Sequence, residues 1–107
     1  MEKLKRMIEK LLDIGGSKVL IPGSITEELI NLGHLYCQEV IVPLEGASKY
    51  YLRNENDVRV IWGFVLDDNG IWKMHSWLIN KKTYQIIDNK IYAKYYGFVK
   101  YMSFFYF

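Results

Sequence analysis

The run Ile71-Trp72-Lys73-Met74-His75-Ser76-Trp77-Leu78-Ile79, the break Asn80-Lys81-Lys82 and the run Thr83-Tyr84-Gln85-Ile86-Ile87-Asp88 decide the fold. Both flanks are rich in β-branched and aromatic residues, and the break between them is short and polar. The stretch therefore reads as two antiparallel strands. With Lys81 and Lys82 as a two-residue loop, Asn80 pairs with Thr83 and His75 falls opposite Asp88. A four-residue loop over Asn80 to Thr83 gives the same pairing. Directly opposed residues share a face, with Cβ atoms roughly 4.5–5.5 Å apart. A carboxylate so placed holds one imidazole nitrogen and leaves the other to take a proton. The single cysteine, Cys37, completes a thiol, imidazole and carboxylate set of the kind that performs nucleophilic acyl transfer.

Outward from this hairpin, Val58, Val60, Trp62, Phe64 and Leu66 alternate along a preceding strand, and Asp67-Asp68-Asn69-Gly70 is a hairpin signal. That turn is expected to set Trp62 or Phe64 opposite His75. A strand over Tyr84 to Asp88, a turn near Asn89-Lys90 and a strand over residues 95–102 extend the pattern to an antiparallel meander of three or four strands. On this register one face carries His75, Asp88, Trp62 or Phe64, Trp77 and Ile86. The other carries Ile61, Val65, Trp72, Met74, Leu78 and Ile87. Both faces are largely apolar and both need cover. A helix layer suits one; the aromatic tail Tyr101-Met102-Ser103-Phe104-Phe105-Tyr106-Phe107 or a second copy of the chain suits the other.

The first half reads as helical. Leu4, Ile8, Leu11 and Leu12 fall on one side of residues 2–13, and Gly15-Gly16 ends that helix. Lys18 to Ile21 is a linker or short strand closed by Pro22-Gly23. Ser24 followed by Glu27 is a capping-box pattern that starts a second helix at Ile25 and runs to Gly33. Residues 35–42 are ambiguous: the β-branched run Val40-Ile41-Val42 suggests strand, and Pro43 forbids a long helix there. Residues 43–56 read as a loop or a broken helix. The class is α+β: N-terminal helices packed on an antiparallel β-meander, in a single domain over residues 1–107.

Composition narrows the function. A net charge of +2 with acids and bases interspersed gives no electrostatic case for nucleic acid. Two histidines and one cysteine at wide spacing match no zinc pattern, and no glycine loop cradles a phosphate or dinucleotide, so neither metal nor cofactor is expected. Residues 1–13 lack the apolar core of a signal peptide, and no apolar run is long enough to cross a bilayer. One cysteine fits a reducing compartment, so a cytoplasmic location is expected.

The motifs resemble those of the papain-like and transglutaminase-like cysteine enzymes. His75-Ser76-Trp77-Leu78 is similar to that superfamily's His-small-Trp-apolar strand. Ile86-Ile87-Asp88 is similar to its apolar-apolar-Asp strand, and Tyr95-Tyr96-Gly97-Phe98 to the Tyr-Phe-Gly element that closes small phage and bacterial relatives. The resemblance implies a reduced form of that fold. It also implies Cys37 as nucleophile, His75 as general base and Asp88 as its orienter. Asn31 would stand where papain-like enzymes carry the amide of the oxyanion hole, and Trp62 and Trp77 would wall the site. The implied activity is that of a cysteine hydrolase or acyltransferase on an amide, isopeptide or ester bond of a protein or small acyl substrate. The alternative starts from Gln38-Glu39-Val40-Ile41-Val42-Pro43, a poor helix where the superfamily has a long one. In that reading the chain is a binding or inhibitor module of phage or mobile-element type. It keeps the fold without the chemistry and binds a protein partner, or a second copy of itself through its aromatic tail.

Overall fold

Helix α1 (Glu2–Ile14) forms where the periodicity places it, because Met7 and Leu11 recur on one side and are buried. Its last turn closes with Gly15 N–H donating to Leu11 O at 3.1 Å, and Gly16 then turns the chain with φ 79°. The Trp72 indole N–H donates to Gly15 O at 2.8 Å, which satisfies one of the carbonyls a helix end leaves open. The remaining elements are β1 (Lys18–Val19), α2 (Glu27–Ile30), β2 (Gly33–Tyr36), β3 (Val40–Ile41), α3 (Ala47–Asn54), β4 (Val58–Leu66), β5 (Ile71–Asn80), β6 (Ile86–Ile87) and β7 (Lys94–Phe98). The computed structural model describes residues 2–98; the expected tail over 101–107 and the end of the 95–102 strand lie outside them. The class is α+β as expected, and no helix among the described residues is long and apolar enough to cross a membrane.

The second helix is shorter than its capping box suggests. Ile25 N–H donates to Pro22 O at 3.4 Å in a turn, so the helix cannot begin until Thr26. Thr26, not Ser24, is the N-cap: its hydroxyl oxygen accepts from Leu29 N–H at 3.3 Å. The ambiguous 35–42 segment splits into β2 and β3, and the loop or broken helix of 43–56 resolves into α3.

The sheet is not a simple meander. Its strands run in the order β2-β7-β4-β5-β6-β3, with β1 beside β5. Two contacts, β1 with β5 and β3 with β6, are parallel. The last strand crosses over to pair with β4 instead of continuing beyond β6.

Two loops account for the register. Asp68-Asn69-Gly70 is a three-residue loop, with Gly70 in the left-handed region at φ 77° and Asp67 N–H bonded to Ile71 O at 3.0 Å. A register with Trp62 or Phe64 opposite His75 needs a loop of even length, and this odd loop shifts the pairing by one residue, which moves side chains to the other face. His75 therefore opposes Gly63, while Trp62 opposes Ser76 and Phe64 opposes Met74. Ile61 and Val65 share the His75 face; Trp62 and Phe64 do not. In the next hairpin, Asn80 pairs with Gln85, and its side-chain oxygen accepts from Lys82 and Thr83 N–H at 2.9 and 3.1 Å. This places Ile86 opposite Ile79, so the Tyr84–Asp88 strand shrinks to β6, and Asp88 slides two residues from its expected place. A two-residue slip keeps the face.

Both faces are covered, one as expected and one not. Helices α1 and α2 cover Phe64, Leu66, Trp72 and Phe98 on the outer face. Helix α3 covers Val58, Leu78 and Ile87 further along it. The inner face is covered by the sheet itself. Strands β2 and β3 are the two ends of the strand order, yet only Cys37, Gln38 and Glu39 join them. In a flat sheet they would stand five spacings, about 24 Å, apart. The four peptide steps from Tyr36 to Val40 reach at most about 14 Å. The sheet must curl, and it encloses Tyr36, Ile61, Val65, Trp77, Ile79, Ile86 and Tyr95.

Two facing glycines permit the curl. Gly63 and Gly97 are paired across β4 and β7. A Cβ on Gly97 would meet Tyr36 Cε1 and Ile61 Cγ2 at 2.8 Å, and one on Gly63 would meet Gly97 Cα at 2.7 Å. Glycine at a strand interior marks this kind of close backbone approach. Gly63→Ala is expected to destabilise the fold by at least ~2–3 kcal/mol, because backbone atoms cannot step aside. Gly23→Ala, with nothing within 4 Å, is the control and should leave the urea midpoint nearly unchanged.

Candidate functional site around His75 and Asp88

Asp88 leaves β6 with its backbone N–H bonded to Ile41 O of β3 at 3.0 Å. Its side chain turns into the enclosed face and is 2% exposed. A buried carboxylate is tolerable only when its oxygens are bonded. Here His75 Nε2 lies 2.8 Å from Oδ2 and 3.0 Å from Oδ1. Asn89 N–H donates to Oδ1 at 2.8 Å, and the Tyr95 hydroxyl lies 2.9 Å from Oδ2. The expected His–Asp contact is thus made, diagonally instead of directly across, because imidazole reach spans the two-residue slip.

Tyr95 joins through β7, which sets it opposite Val65. Its single hydroxyl proton is shared between Asp88 Oδ2 and Lys90 O, each 2.9 Å away, and the oxygen accepts from Tyr92 N–H at 3.3 Å. Burial pushes this phenol above its ordinary value of 10.0, and its hydrogen bond to Asp88 and the charge of that carboxylate push the same way. The His75 ring lies 5.0 Å from Tyr92 and stacks at 6.3 Å on Trp77. Lys73 and Lys90 sit over the Tyr92 ring at 5.5 and 5.1 Å. Asn89 also reaches α3, where its side-chain oxygen accepts from Ala47 N–H at 2.8 Å and caps a helix whose Gly46 has no side chain to do so.

His75 is partly exposed and borders two clefts. One, of about 470 Å³, lies between α3 and β5 and is walled by Tyr51, Leu52, Val60 and Leu78. The other, of about 520 Å³, is bordered by Pro22, Ser24, Trp62 and Met74. Ser76 lines both.

The other expected site residues are distributed differently. Cys37 is exposed in the crossing from β2 to β3 and lines neither cleft. Two residues on, Glu39 O accepts from the Gln85 side chain, which ties this crossing to the far end of β5. His75 stands five residues back from Asn80 at that end, about 16 Å of extended chain. The structure does not bring the thiol to the imidazole. Asn31 is the C-cap of α2 and borders a shallow cleft with Lys3, Arg6 and Lys10 of α1, away from His75. Trp77 lies beside His75 inside the curl. Trp62 is on the opposite face, since the odd loop put it there. Among the described residues no three His, Cys, Asp or Glu gather to hold a metal.

Sequence reasoning missed Tyr95, Tyr92 and Asn89. Tyr95 was placed in a terminal strand beyond β6, and only the crossover to β4 carries it to Asp88. Comparison of the chain with protein-family models, with curated proteins and with solved structures finds no match.

Tyr95→Phe removes a donor from a buried carboxylate and is expected to cost ~1–3 kcal/mol. Tyr36 is the contrast: its hydroxyl is buried with no hydrogen-bond partner among the described residues, so Tyr36→Phe should be neutral or stabilising by urea titration. Burial also raises the Tyr36 and Tyr96 phenols above 10.0. The folded chain therefore holds these protons more tightly than the unfolded one. Stability is full below pH ~10 and falls as pH rises beyond it. Urea midpoints should hold up to about pH 10 and drop as pH rises from there toward about 12, less steeply in Tyr36→Phe.

Proposed function

We propose that the chain is a non-catalytic protein-binding module that keeps a His–Asp pair as a structural tie. The observation that carries this reading is the place of Cys37: exposed, in the β2–β3 crossing, outside both clefts that His75 borders. A second feature supports it. The β3–α3 segment exposes Ile41, Val42, Leu44 and Leu52, with Leu44 fully in solvent and Leu52 at the lip of the α3 cleft. Several large apolar side chains exposed along one segment are a mark of interaction surfaces.

One observation favours a second reading. Asp88 engages Nε2 of His75 and leaves Nδ1 as the nitrogen that can exchange a proton, which is what a general base needs. In that reading Cys37 attacks an acyl carbonyl after the crossing moves toward β5, as in the papain-like and transglutaminase-like enzymes.

Thiol alkylation separates the two. The binding reading expects Cys37 to react with iodoacetamide at about pH 6 no faster than a cysteine in an unstructured peptide, and equally in His75→Ala. Rapid reaction at that pH, abolished by His75→Ala, would overturn it in favour of the enzyme.

A further inference from the structure

β5 is the longest strand, and it has a complete neighbour on one side only. β4 pairs with it from Leu66↔Trp72 to Val58↔Asn80. On the other side β1 pairs with Ile71 and Trp72, and β6 with Leu78 and Ile79. Residues 73–77 lie between those two occupied ends with no strand beside them.

Hydrogen bonds at both ends fix which groups face this gap. Trp72 O accepts from Leu20 N–H at 2.9 Å, and Asn80 N–H donates to Gln85 O at 2.9 Å. Met74 and Ser76 are even steps from both. Strand alternation therefore aims their N–H and C=O groups into the gap, while those of Lys73, His75 and Trp77 face β4. Among the described residues none bonds the Met74 and Ser76 backbone from the open side. Ser76 is exposed in the middle of an otherwise covered strand, and both clefts beside His75 open onto it.

We infer that this gap is a docking slot for an extended segment of another polypeptide, which adds as a short strand between β1 and β6. This inference deepens the binding reading and rests on it. The occupant follows from the hydrogen bonds. Two N–H and two C=O groups at strand spacing are matched by another strand's backbone, and a helix has none to offer. The gap is five residues long, about 16 Å, so it takes three to five residues of partner. Side chains of that strand alternate. Those on the helix side enter clefts walled by Tyr51, Leu52 and Val60 or by Trp62 and Met74, and suit apolar residues. Those on the other side meet His75, Asp88 and Asn89, and suit small hydrogen-bonding residues.

Residue-resolved amide exchange on the intact chain is the first test. Met74 and Ser76 should exchange at least about 100-fold faster than Lys73, His75 and Trp77, whose amides face β4. Protection of Met74 and Ser76 in the free chain would overturn the proposal, because the slot would already be filled. The second test uses peptides selected from a random twelve-residue display library on the intact chain. They should slow exchange at Met74 and Ser76, and should bind at least about tenfold more weakly to Ser76→Pro, which lacks the N–H that faces the gap. If Ser76→Pro does not fold, amide protection decides alone. A library that yields no binder overturns the proposal. Peptides that bind without protecting these amides also overturn strand addition while leaving the binding reading in place. That reading falls instead if Cys37 proves to be activated by His75.

Discussion

Three residues, Cys37 to Glu39, join the two edge strands of the sheet, and the rest of the structure depends on that short crossing. It is too short to span a flat sheet, so the sheet bends until its inner face closes over its own aromatic side chains. Tyr36 of β2 then lies 6.1 Å from Trp77 of β5, although β7 and β4 stand between them in the strand order. Gly63 and Gly97 make the bend possible by leaving room where β4 and β7 approach. The cover that the His75 face needs thus comes from the sheet itself.

Asp88 is the hub of the enclosed face. Its backbone reaches β3, its carboxylate holds His75 of β5 and Tyr95 of β7, and the next residue caps α3. Asp88 ties three strands together, and Asn89 beside it adds the helix. Removing one partner of a buried pair leaves the other without compensation, and that costs far more than the pair contributes on balance. The network is therefore a strong constraint on local geometry whether or not a proton ever moves through it. Its partly exposed end, His75, lies where the β5 edge stands open, so the rigid part of the site and the unpaired part adjoin.

Much of this was legible in the sequence. Helix α1, the long strands β4 and β5, and the His75–Asp88 contact all follow from local periodicity and turn residues. The contact survived an error in register because the slip was of two residues, which preserves the face. The β4–β5 slip was of one residue, and it moved Trp62 and Phe64 to the helix side. The difference lay in one loop residue: an aspartate-rich turn ending in glycine accommodates odd and even loops alike, and only Gly70 in its left-handed conformation shows which was used. The parallel contacts, the crossover of β7 and the place of Cys37 were not legible. They are set by long-range pairing of strands of two to five residues, which carry too little pattern to specify a neighbour. Tyr95 was hidden for the same reason.

The enclosed face follows from the curl. A flat or open sheet would separate Tyr36 from Trp77 by three strand spacings, about 14 Å. The most direct measurement is the nuclear Overhauser effect between the ring protons of Tyr36 and Trp77 in the free chain. The curled sheet predicts clear cross-peaks from an edge-on contact at 6.1 Å between ring centroids. Their absence, with β4–β5 cross-strand peaks intact, would mean that the sheet does not close, and would contradict the account of the inner face.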